Sequence, residues 1–208
     1  MIVVVAGTGT DVGKTWCATR LTARLREGGV PVAARKPAQS FDSADTTTDA
    51  DQLATATGEA AITVCPRHRW YSIPMAPPMA ADALARPTFT IADLVAEIAP
   101  SDADVMLIEA AGGVRSPLAD DGDTVSLCDA VRPDLVIVVA DAGLGTINAV
   151  RLSSEALAQH QHLVWLNRFE ASDALHARNR AWLQTRCGLD VVTDAEAAFE
   201  RIAVRLSR

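Results

Sequence analysis

Short runs of consecutive apolar residues recur along the chain, and longer segments with mixed polarity separate them. These runs do not alternate between apolar and polar positions, which indicates strands buried on both faces, as in a parallel sheet. The predicted strands are Ile2–Ala6, Val30–Ala34, Val105–Ile108, Leu135–Ala140 and Leu163–Leu166. The predicted helices are Lys14–Glu27, Ala50–Thr57, Ile91–Ile98, Thr146–Gln159, Asp173–Arg186 and Ala195–Leu206.

The alternation of strands and helices predicts an α/β fold with a doubly wound, mainly parallel sheet flanked by helices. A chain of 208 residues, 49% of them apolar, is long enough to bury a full core, and we expect one domain over residues 1–208. The proline-rich segment from Cys65 to Thr88 is expected to form an ordered loop region near the carboxyl edge of the sheet.

Composition narrows the class of protein. The formal net charge of −7 argues against a general binder of nucleic acids or anionic membranes, which normally carries a basic surface. No apolar run is long enough to span a bilayer, and no basic segment precedes the first strand as in a signal peptide. The four cysteines are scattered, as is usual for free thiols in a reducing compartment. We therefore expect a cytoplasmic protein.

Lysine is rare in this chain: Lys14 and Lys36 stand among 19 basic residues, and the others are arginines. Lys14 lies in a glycine-rich turn between the first strand and the first helix, a setting typical of phosphate-binding loops. The turn ends in Gly13-Lys14-Thr15, although Thr8 occupies the position where such loops usually begin with glycine. The pattern predicts a P-loop NTPase-like fold that binds a nucleotide, with the candidate residues Gly9, Thr10, Asp11, Val12, Gly13, Lys14 and Thr15.

The second lysine and two carboxylates follow other predicted strands. Lys36 comes after the second strand and Glu109 after the third, so both emerge at the carboxyl edge beside the phosphate loop. A compact ammonium suits a transferring phosphoryl group, and carboxylate and hydroxyl oxygens suit Mg²⁺. Thr15 and Glu109 are therefore candidate metal ligands, together with Asp49 or its near competitor Asp51 at the start of the next helix.

Three further stretches complete the pattern. Ser40 lies four residues after Lys36 and could donate a hydrogen bond to a substrate. A second glycine-rich turn, Gly143–Asn148, follows the fourth strand and opens a helix, where free N–H groups suit a carboxylate or a phosphate. Asn167, just past the fifth strand, could contact a nucleotide base.

Together these motifs resemble the dethiobiotin synthetases, ATP-dependent enzymes of biotin synthesis. The resemblance rests on Gly7–Thr15, Lys36–Ser40, Asp49-Ala50, Glu109–Gly113 followed by Pro117-Leu118, and Gly143–Asn148, which occur in the family's order. Pro74–Pro77 also resembles the family's middle loop. The resemblance covers about residues 1–170 and includes no single decisive motif.

The resemblance implies a reaction in which 7,8-diaminopelargonate, CO₂ and ATP give dethiobiotin, ADP and phosphate through a carbamate and its phosphoric anhydride. It assigns phosphate and carbamate neutralisation to Lys14 and Lys36, which are the expected catalytic residues. Mg²⁺ would be held by Thr15, Asp49 and Glu109, and adenine would be contacted by Asn167. The residues expected to contact the substrate are Thr10, Asp11, Lys36, Ser40, Gly112 and, from the partner subunit of a homodimer, Gly145, Thr146, Ile147 and Asn148.

Some positions depart from the family pattern. Ala110 and Phe41 stand where glycine is common, and the C-terminal stretch lacks a clear leucine-proline loop, with Gly188–Val191 as the nearest candidate. A paralogous P-loop ATPase with an altered substrate is therefore one alternative. A partitioning-type nucleotide switch is another, although such proteins carry an extra lysine five residues before the loop lysine, where this chain has Gly9.

Overall fold

The computed structural model describes residues 1–207, and its central feature is a parallel sheet with helices on both faces. The strands of this sheet are β1 (Ile2–Gly7), β2 (Val32–Arg35), β5 (Val105–Glu109), β6 (Leu135–Asp141), β7 (His162–Asn167) and β8 (Val191–Val192). They follow the order β2-β5-β1-β6-β7-β8 across the sheet, and every neighbouring pair is parallel. The predicted fold class is therefore confirmed.

Helices cover both faces of the sheet because the strands are apolar on both sides. Val3 and Val5 of β1 face a core that includes the helices Lys14–Glu27, Asp49–Thr57 and Ala195–Leu206. Val4 and Ala6 face a core that includes the helices Pro77–Ala83, Ile91–Ala96 and Thr124–Val131. The longer helices are α1 (Lys14–Glu27), α2 (Asp49–Thr57), α6 (Thr124–Val131), α7 (Thr146–Ala156), α8 (Ala174–Thr185) and α9 (Ala195–Leu206). The shorter helices are α3 (Ala61–Val64), α4 (Pro77–Ala83) and α5 (Ile91–Ala96).

The predicted bounds of α1 and α9 are correct, and the bounds of other elements shift by a few residues. Val30 does not begin β2, because its N–H donates to the Leu25 carbonyl at 3.0 Å and thereby closes the turn after α1. Pro31 then separates this turn from the strand. Helix α7 ends at Ala156 rather than Gln159, and α5 ends at Ala96 rather than Ile98.

The proline-rich segment contains regular structure that the sequence pattern did not predict. Pro77 and Pro78 open α4, where proline fits because the first turn of a helix has no internal partner for its N–H groups. A two-stranded parallel ribbon forms from β3 (Gln39–Ser40) and β4 (Trp70–Tyr71). This ribbon joins the proline-rich segment to the loop that follows Lys36 and so brings the segment to the carboxyl edge of the main sheet.

Two features bear on the environment of the protein. Within residues 1–207, no helix combines the length and the apolar character that a membrane crossing requires. Cys17, Cys65 and Cys128 are buried free thiols, and Cys187 is a half-buried one. Burial raises the pKa of the Cys65 and Cys128 thiols to about 12, so both stay protonated at neutral pH.

Candidate functional site

A cleft of about 810 Å³ opens at the carboxyl ends of β1, β2 and β5. In open α/β sheets this edge is the usual place for ligands. Its walls come from the glycine-rich loop, the loop after Lys36, the start of α2, the Pro74–Pro77 stretch and the loop after Glu109. The predicted site residues that line it are Thr10, Asp11, Gly13, Lys14, Thr15, Lys36, Ser40, Asp49 and Gly112.

The glycine-rich loop wraps the amino end of α1. Gly13 precedes the helix with a φ of +91°, a conformation that other residues rarely adopt. The Lys14 ammonium turns back over the loop and donates to the Gly9 carbonyl at 2.9 Å. Burial and the nearby Lys36 charge lower the pKa of Lys14, so a bound polyphosphate would relieve the cost of keeping this ammonium charged.

Lys36 lies at the centre of a compact polar cluster. Its Nζ donates to Asp49 Oδ2 at 2.6 Å and to Glu109 Oε1 at 2.5 Å. The Thr15 hydroxyl lies 2.8 Å from Asp49 Oδ1 and 2.8 Å from Glu109 Oε1. Side chains from α1, α2, β5 and the loop after β2 thus meet at one point, as expected for residues at the carboxyl edge of neighbouring parallel strands.

The cluster places opposite charges in a buried environment. Burial favours the uncharged amine of Lys36, but Asp49 and Glu109 outweigh burial and raise the pKa of Lys36. Burial also raises the pKa of Glu109, although the Lys36 charge opposes this shift. For Asp49, burial is outweighed by Lys36 and the Thr15 hydroxyl, and its pKa is lowered. Lys36 therefore remains an ammonium at neutral pH, held between two carboxyl groups.

Gln39 and Thr48 position Asp49. Gln39 is 1% exposed; its Nε2 donates to Thr48 Oγ1 at 3.2 Å and its Oε1 accepts from the Ala50 N–H at 3.0 Å. Thr48 and Asp51 form a capping box at the start of α2, in which Asp51 Oδ2 accepts from the Thr48 N–H at 2.9 Å. Asp51 is therefore occupied by the helix cap, whereas Asp49 faces Lys36 and Thr15.

The predicted metal ligands are all oxygen donors. Thr15 Oγ1, Asp49 and Glu109 converge, and the buried Oε2 of Glu109 has no hydrogen-bond partner among residues 1–207. A buried carboxylate oxygen without a partner is costly unless a ligand completes its coordination. Hard oxygen donors of this kind are those that Mg²⁺ prefers. The residues present therefore fit this ion.

Two further predicted substrate residues, Ser40 and Gly112, line the cleft. Ser40 follows the lysine loop on β3, and its buried Oγ makes no hydrogen bond to any other residue in the part of the chain described. Gly112 adopts a φ of +68°, and a Cβ at this position would lie 2.8 Å from Ser116 Cβ. Ala110 does not adopt a positive φ, so alanine replaces the common glycine there without backbone strain.

Other predicted residues lie outside the cleft lining. Gly145, Thr146, Ile147 and Asn148 open α7 at the end of β6, on a different part of the carboxyl edge. Asn167 ends β7, and its Nδ2 donates to the Val12 carbonyl at 2.9 Å, behind the glycine-rich loop. Its Oδ1 accepts no hydrogen bond within the described residues and is therefore the part of the side chain that remains for a base.

Sequence reasoning did not single out Gln39, Thr48 or Arg168, which all line the cleft. Gln39 stands at a variable position of the Lys36–Ser40 motif and Thr48 lies outside every motif, so no sequence pattern indicated their contacts. Arg168 also lines the cleft, and its guanidinium donates to the Asp11 carbonyl at 2.9 Å and to Asp141 Oδ2 at 2.8 Å. Its φ of +55° is rare for arginine and leaves no signal in the sequence.

Comparison with known proteins places these features in a family. A family model described as an AAA domain matches residues 2–191. A relative from Rhodococcus jostii (strain RHA1), named ATP-dependent dethiobiotin synthetase BioD, is 38% identical over 160 residues, which make up 76% of this chain and 68% of the relative. A protein of the same name from Haloferax mediterranei is 38% identical over 194 residues, covering 91% of this chain and 81% of the relative.

Solved structures share the fold at low sequence identity. A plasmid partition protein from Borrelia burgdorferi superposes with a TM-score of 0.57 over 98% of both chains at 12% identity. This likeness shows a common fold alone. The family model covers most of the chain, and relatives at 38% identity are matched over more than two thirds of their length. The chain therefore belongs to the ATP-dependent dethiobiotin synthetases, a family of ligases.

Proposed function

We propose that this protein converts 7,8-diaminopelargonate and CO₂ to dethiobiotin at the expense of ATP, releasing ADP and phosphate. The observation that carries the proposal is the meeting of both lysines of the chain in one cleft with Thr15, Asp49 and Glu109. Phosphoryl transfer depends mainly on positioning and on neutralising negative charge, and this cluster supplies two ammonium groups for that task.

The reaction begins when one amine of the substrate adds to CO₂ and loses a proton, which gives a carbamate. A carbamate oxygen then takes the γ-phosphoryl group of ATP, and ADP leaves. The second amine attacks the carbamate carbon, the bond to the phosphate oxygen breaks, and the cyclic urea forms as phosphate and a proton depart. We assign to Lys14 the phosphates of ATP and to Lys36 the junction between the γ-phosphoryl group and the carbamate.

Thr15, Asp49 and Glu109 are the proposed Mg²⁺ ligands. When bound, the ion would supply positive charge beside the β- and γ-phosphates. Glu109 lies beneath the floor of the cleft, since its side chain is 1% exposed. Asp49 lies in the wall of the cleft and would contact the ion from there. Lys36 contacts both carboxyl groups and therefore stays within reach of the phosphate end of the cleft.

The remaining cleft residues are proposed to hold the substrate and the nucleotide. Ser40 offers an uncommitted hydroxyl, and Thr10, Asp11 and Gly112 face the same space. The backbone of Gly9, Val12 and Gly13 is proposed to surround the phosphates, and Asn167 Oδ1 to accept from the adenine amino group. The Asp11 carbonyl accepts from Arg168 and the Val12 carbonyl from Asn167, so side chains at the end of β7 hold this loop.

The homodimer expected from the resemblance remains part of the proposal. The turn from Gly145 to Asn148 does not line the cleft of its own chain, which leaves it available to bind the substrate carboxylate in a partner's cleft. Leu144, next to this turn, is 92% exposed and would be available to a partner subunit in the proposed homodimer. The free N–H groups at the start of α7 suit a carboxylate.

A subunit-mixing experiment tests the shared site. Lys36→Arg and Asn148→Glu are each expected to abolish most activity, the second by repelling the substrate carboxylate. Co-expression of the two variants should restore roughly a quarter of wild-type activity, because half of the dimers would contain one intact site. Absence of recovery in mixed dimers that are shown to form by mass would refute a site built from two subunits.

The reaction itself is tested by the substrate dependence of phosphate release. With ATP and Mg²⁺, we expect phosphate release only when both diaminopelargonate and bicarbonate are present, with dethiobiotin detected by mass spectrometry in equal amount. Omission of either substrate is the control. Hydrolysis that proceeds without the diamine and is stimulated by DNA would instead support a partitioning-type switch. Phosphate release that depends on a different diamine would support a paralogue with an altered substrate.

A further inference from the structure

Two consecutive side chains at the end of β7 contact two consecutive carbonyls of the glycine-rich loop. Asn167 Nδ2 donates to the Val12 carbonyl at 2.9 Å, and the Arg168 guanidinium donates to the Asp11 carbonyl at 2.9 Å. The loop therefore rests on β7 through both peptide groups that immediately precede Gly13. Neither contact belongs to the cluster around Lys36.

These contacts set the direction of two N–H groups. In a trans peptide the C=O and N–H bonds point in opposite directions, so a carbonyl held toward β7 turns its own N–H away from β7. The peptides concerned carry the N–H groups of Val12 and Gly13. Neither N–H makes a hydrogen bond within residues 1–207. Two unpaired donors fixed side by side at the start of a helix form an anion-binding concavity.

The backbone conformations of Asp11 and Arg168 support a functional role for the hydrogen bond between them. Asp11 has a φ of +58° and Arg168 a φ of +55°, so both ends of this hydrogen bond adopt a conformation that non-glycine residues rarely populate. Such strain persists only where surrounding contacts enforce it, and it concentrates at binding sites. Gly13 follows at a φ of +91°, where only glycine fits, because a Cβ there would lie 2.1 Å from Asn167 Nδ2.

Asp141 anchors the arginine. Its Oδ2 accepts from the Arg168 guanidinium at 2.8 Å, and its Oδ1 accepts from the Gly143 N–H at 2.8 Å. The Arg168 hydrogen bond, followed by that from Gly143, lowers the pKa of Asp141, so the carboxylate is ionised at neutral pH. The guanidinium thus spans the ends of β6 and β7 and the glycine-rich loop, which its planar fork allows.

We propose that Arg168, anchored by Asp141, is a positioning residue that presets the phosphate loop, with Asn167 as its neighbour in the same role. The pair aims the Val12 and Gly13 N–H groups at the polyphosphate before it binds, so that little ordering cost remains on binding. This inference rests on the proposed phosphate-binding role of the loop. It does not depend on which acceptor receives the phosphoryl group.

The test measures binding of ATP and of inorganic tripolyphosphate by calorimetry in the presence of Mg²⁺. Arg168→Ala is expected to weaken the binding of both ligands by a similar factor, about tenfold, because the loop is proposed to contact the phosphates of ATP and not its nucleoside. The matched control is Arg201→Ala, which removes an exposed arginine that pairs with Asp190 at 2.9 Å and lies outside the cleft lining. The control should bind both ligands as the wild type does.

Asp141→Asn separates positioning from simple charge attraction. The substitution removes a negative charge near the cleft, so attraction alone would tighten tripolyphosphate binding. The positioning role predicts weaker binding, since Arg168 loses its anchor while the amide oxygen can still accept from Gly143. Combining it with Arg168→Ala should add little further loss, because both changes remove one contact system.

Several results would overturn the inference. A loss limited to ATP would mean that Arg168 acts on the nucleoside, and tighter tripolyphosphate binding by Asp141→Asn would mean that charge alone matters. Unchanged binding by a folded Arg168→Ala variant would remove the positioning role while leaving the proposed reaction intact. A wild-type protein that binds neither ligand would defeat the proposed function and this inference together.

Discussion

Replacing Lys36 by arginine is expected to reduce dethiobiotin formation by about 100- to 1000-fold, a loss typical for removing a positioned group that stabilises a transition state. The substitution preserves the positive charge but introduces a larger group into a buried position. Lys36 is 2% exposed, and its single nitrogen contacts both Asp49 and Glu109. A guanidinium is broader and tends to pair with one carboxylate through two parallel bonds. It would therefore shift the carboxyl groups and misplace the charge beside the phosphoryl group.

The preceding residue provides a matched control. Arg35 is equally buried and pairs with Glu59 at 2.7 Å, but it does not line the cleft. Arg35→Lys should lower stability, because Arg35 Nε also donates to the Ala99 carbonyl at 2.7 Å, yet turnover should stay near that of the wild type. Steady-state kinetics with thermal unfolding measures both effects. Wild-type turnover by Lys36→Arg would show that this position needs only a positive charge.

The second large effect is expected for Glu109→Gln. The substitution keeps the shape of a side chain that is 1% exposed but removes a charge from the proposed ion site. We expect the affinity for Mn²⁺, measured by electron paramagnetic resonance as a substitute for Mg²⁺, to fall by about 10- to 100-fold. Dethiobiotin formation should fall by at least the same factor, because the phosphates would lose a neutralising charge.

Glu59→Gln is the matched control for Glu109→Gln, because it makes the same change at a glutamate outside the cleft lining. Glu59 accepts from Arg35 and from the Ala34 N–H at 2.8 Å, on the other side of the same strand end, and does not line the cleft. Its substitution should leave Mn²⁺ affinity unchanged. Equal Mn²⁺ affinity for the wild type and Glu109→Gln would remove Glu109 from the proposed ligand set, whatever happened to turnover.

Much of the fold was predictable because its main strands are long, apolar runs separated by helix signals. Strands of two residues such as β3, β4 and β8 have no periodicity to detect, and their pairing depends on contacts distant in sequence. Helix α6 was not predicted either, although Asp123 caps it through the N–H groups of Val125 and Ser126. A short helix with one cap residue carries little signal within a loop-rich stretch.

The meeting of Lys14, Lys36 and Glu109 followed from a topological rule, since neighbouring parallel strands deliver their next residues to one edge. The same rule does not distinguish Asp49 from Asp51 as the proposed metal ligand, because both lie in the first turn of α2. The capping box favours Asp49 for the proposed ligand set, because it engages Asp51 with Thr48. Arg168 was hidden for a different reason: a positive φ at an arginine is imposed by tertiary contacts and has no counterpart in local sequence.

The buried side-chain amide of Gln39 separates the fixed start of α2 from the exposed stretch that precedes it. Its hydrogen bonds to Thr48 and Ala50 link the two ends of the stretch from Phe41 to Thr47. Asp49, which lies between Thr48 and Ala50, therefore keeps its place independently of that stretch. The residues from Asp42 to Thr47 are exposed, and several of them line the cleft. This stretch is therefore a natural region for redesigning the proposed substrate preference, since its length and composition can change while Lys36, Asp49 and Glu109 keep their contacts.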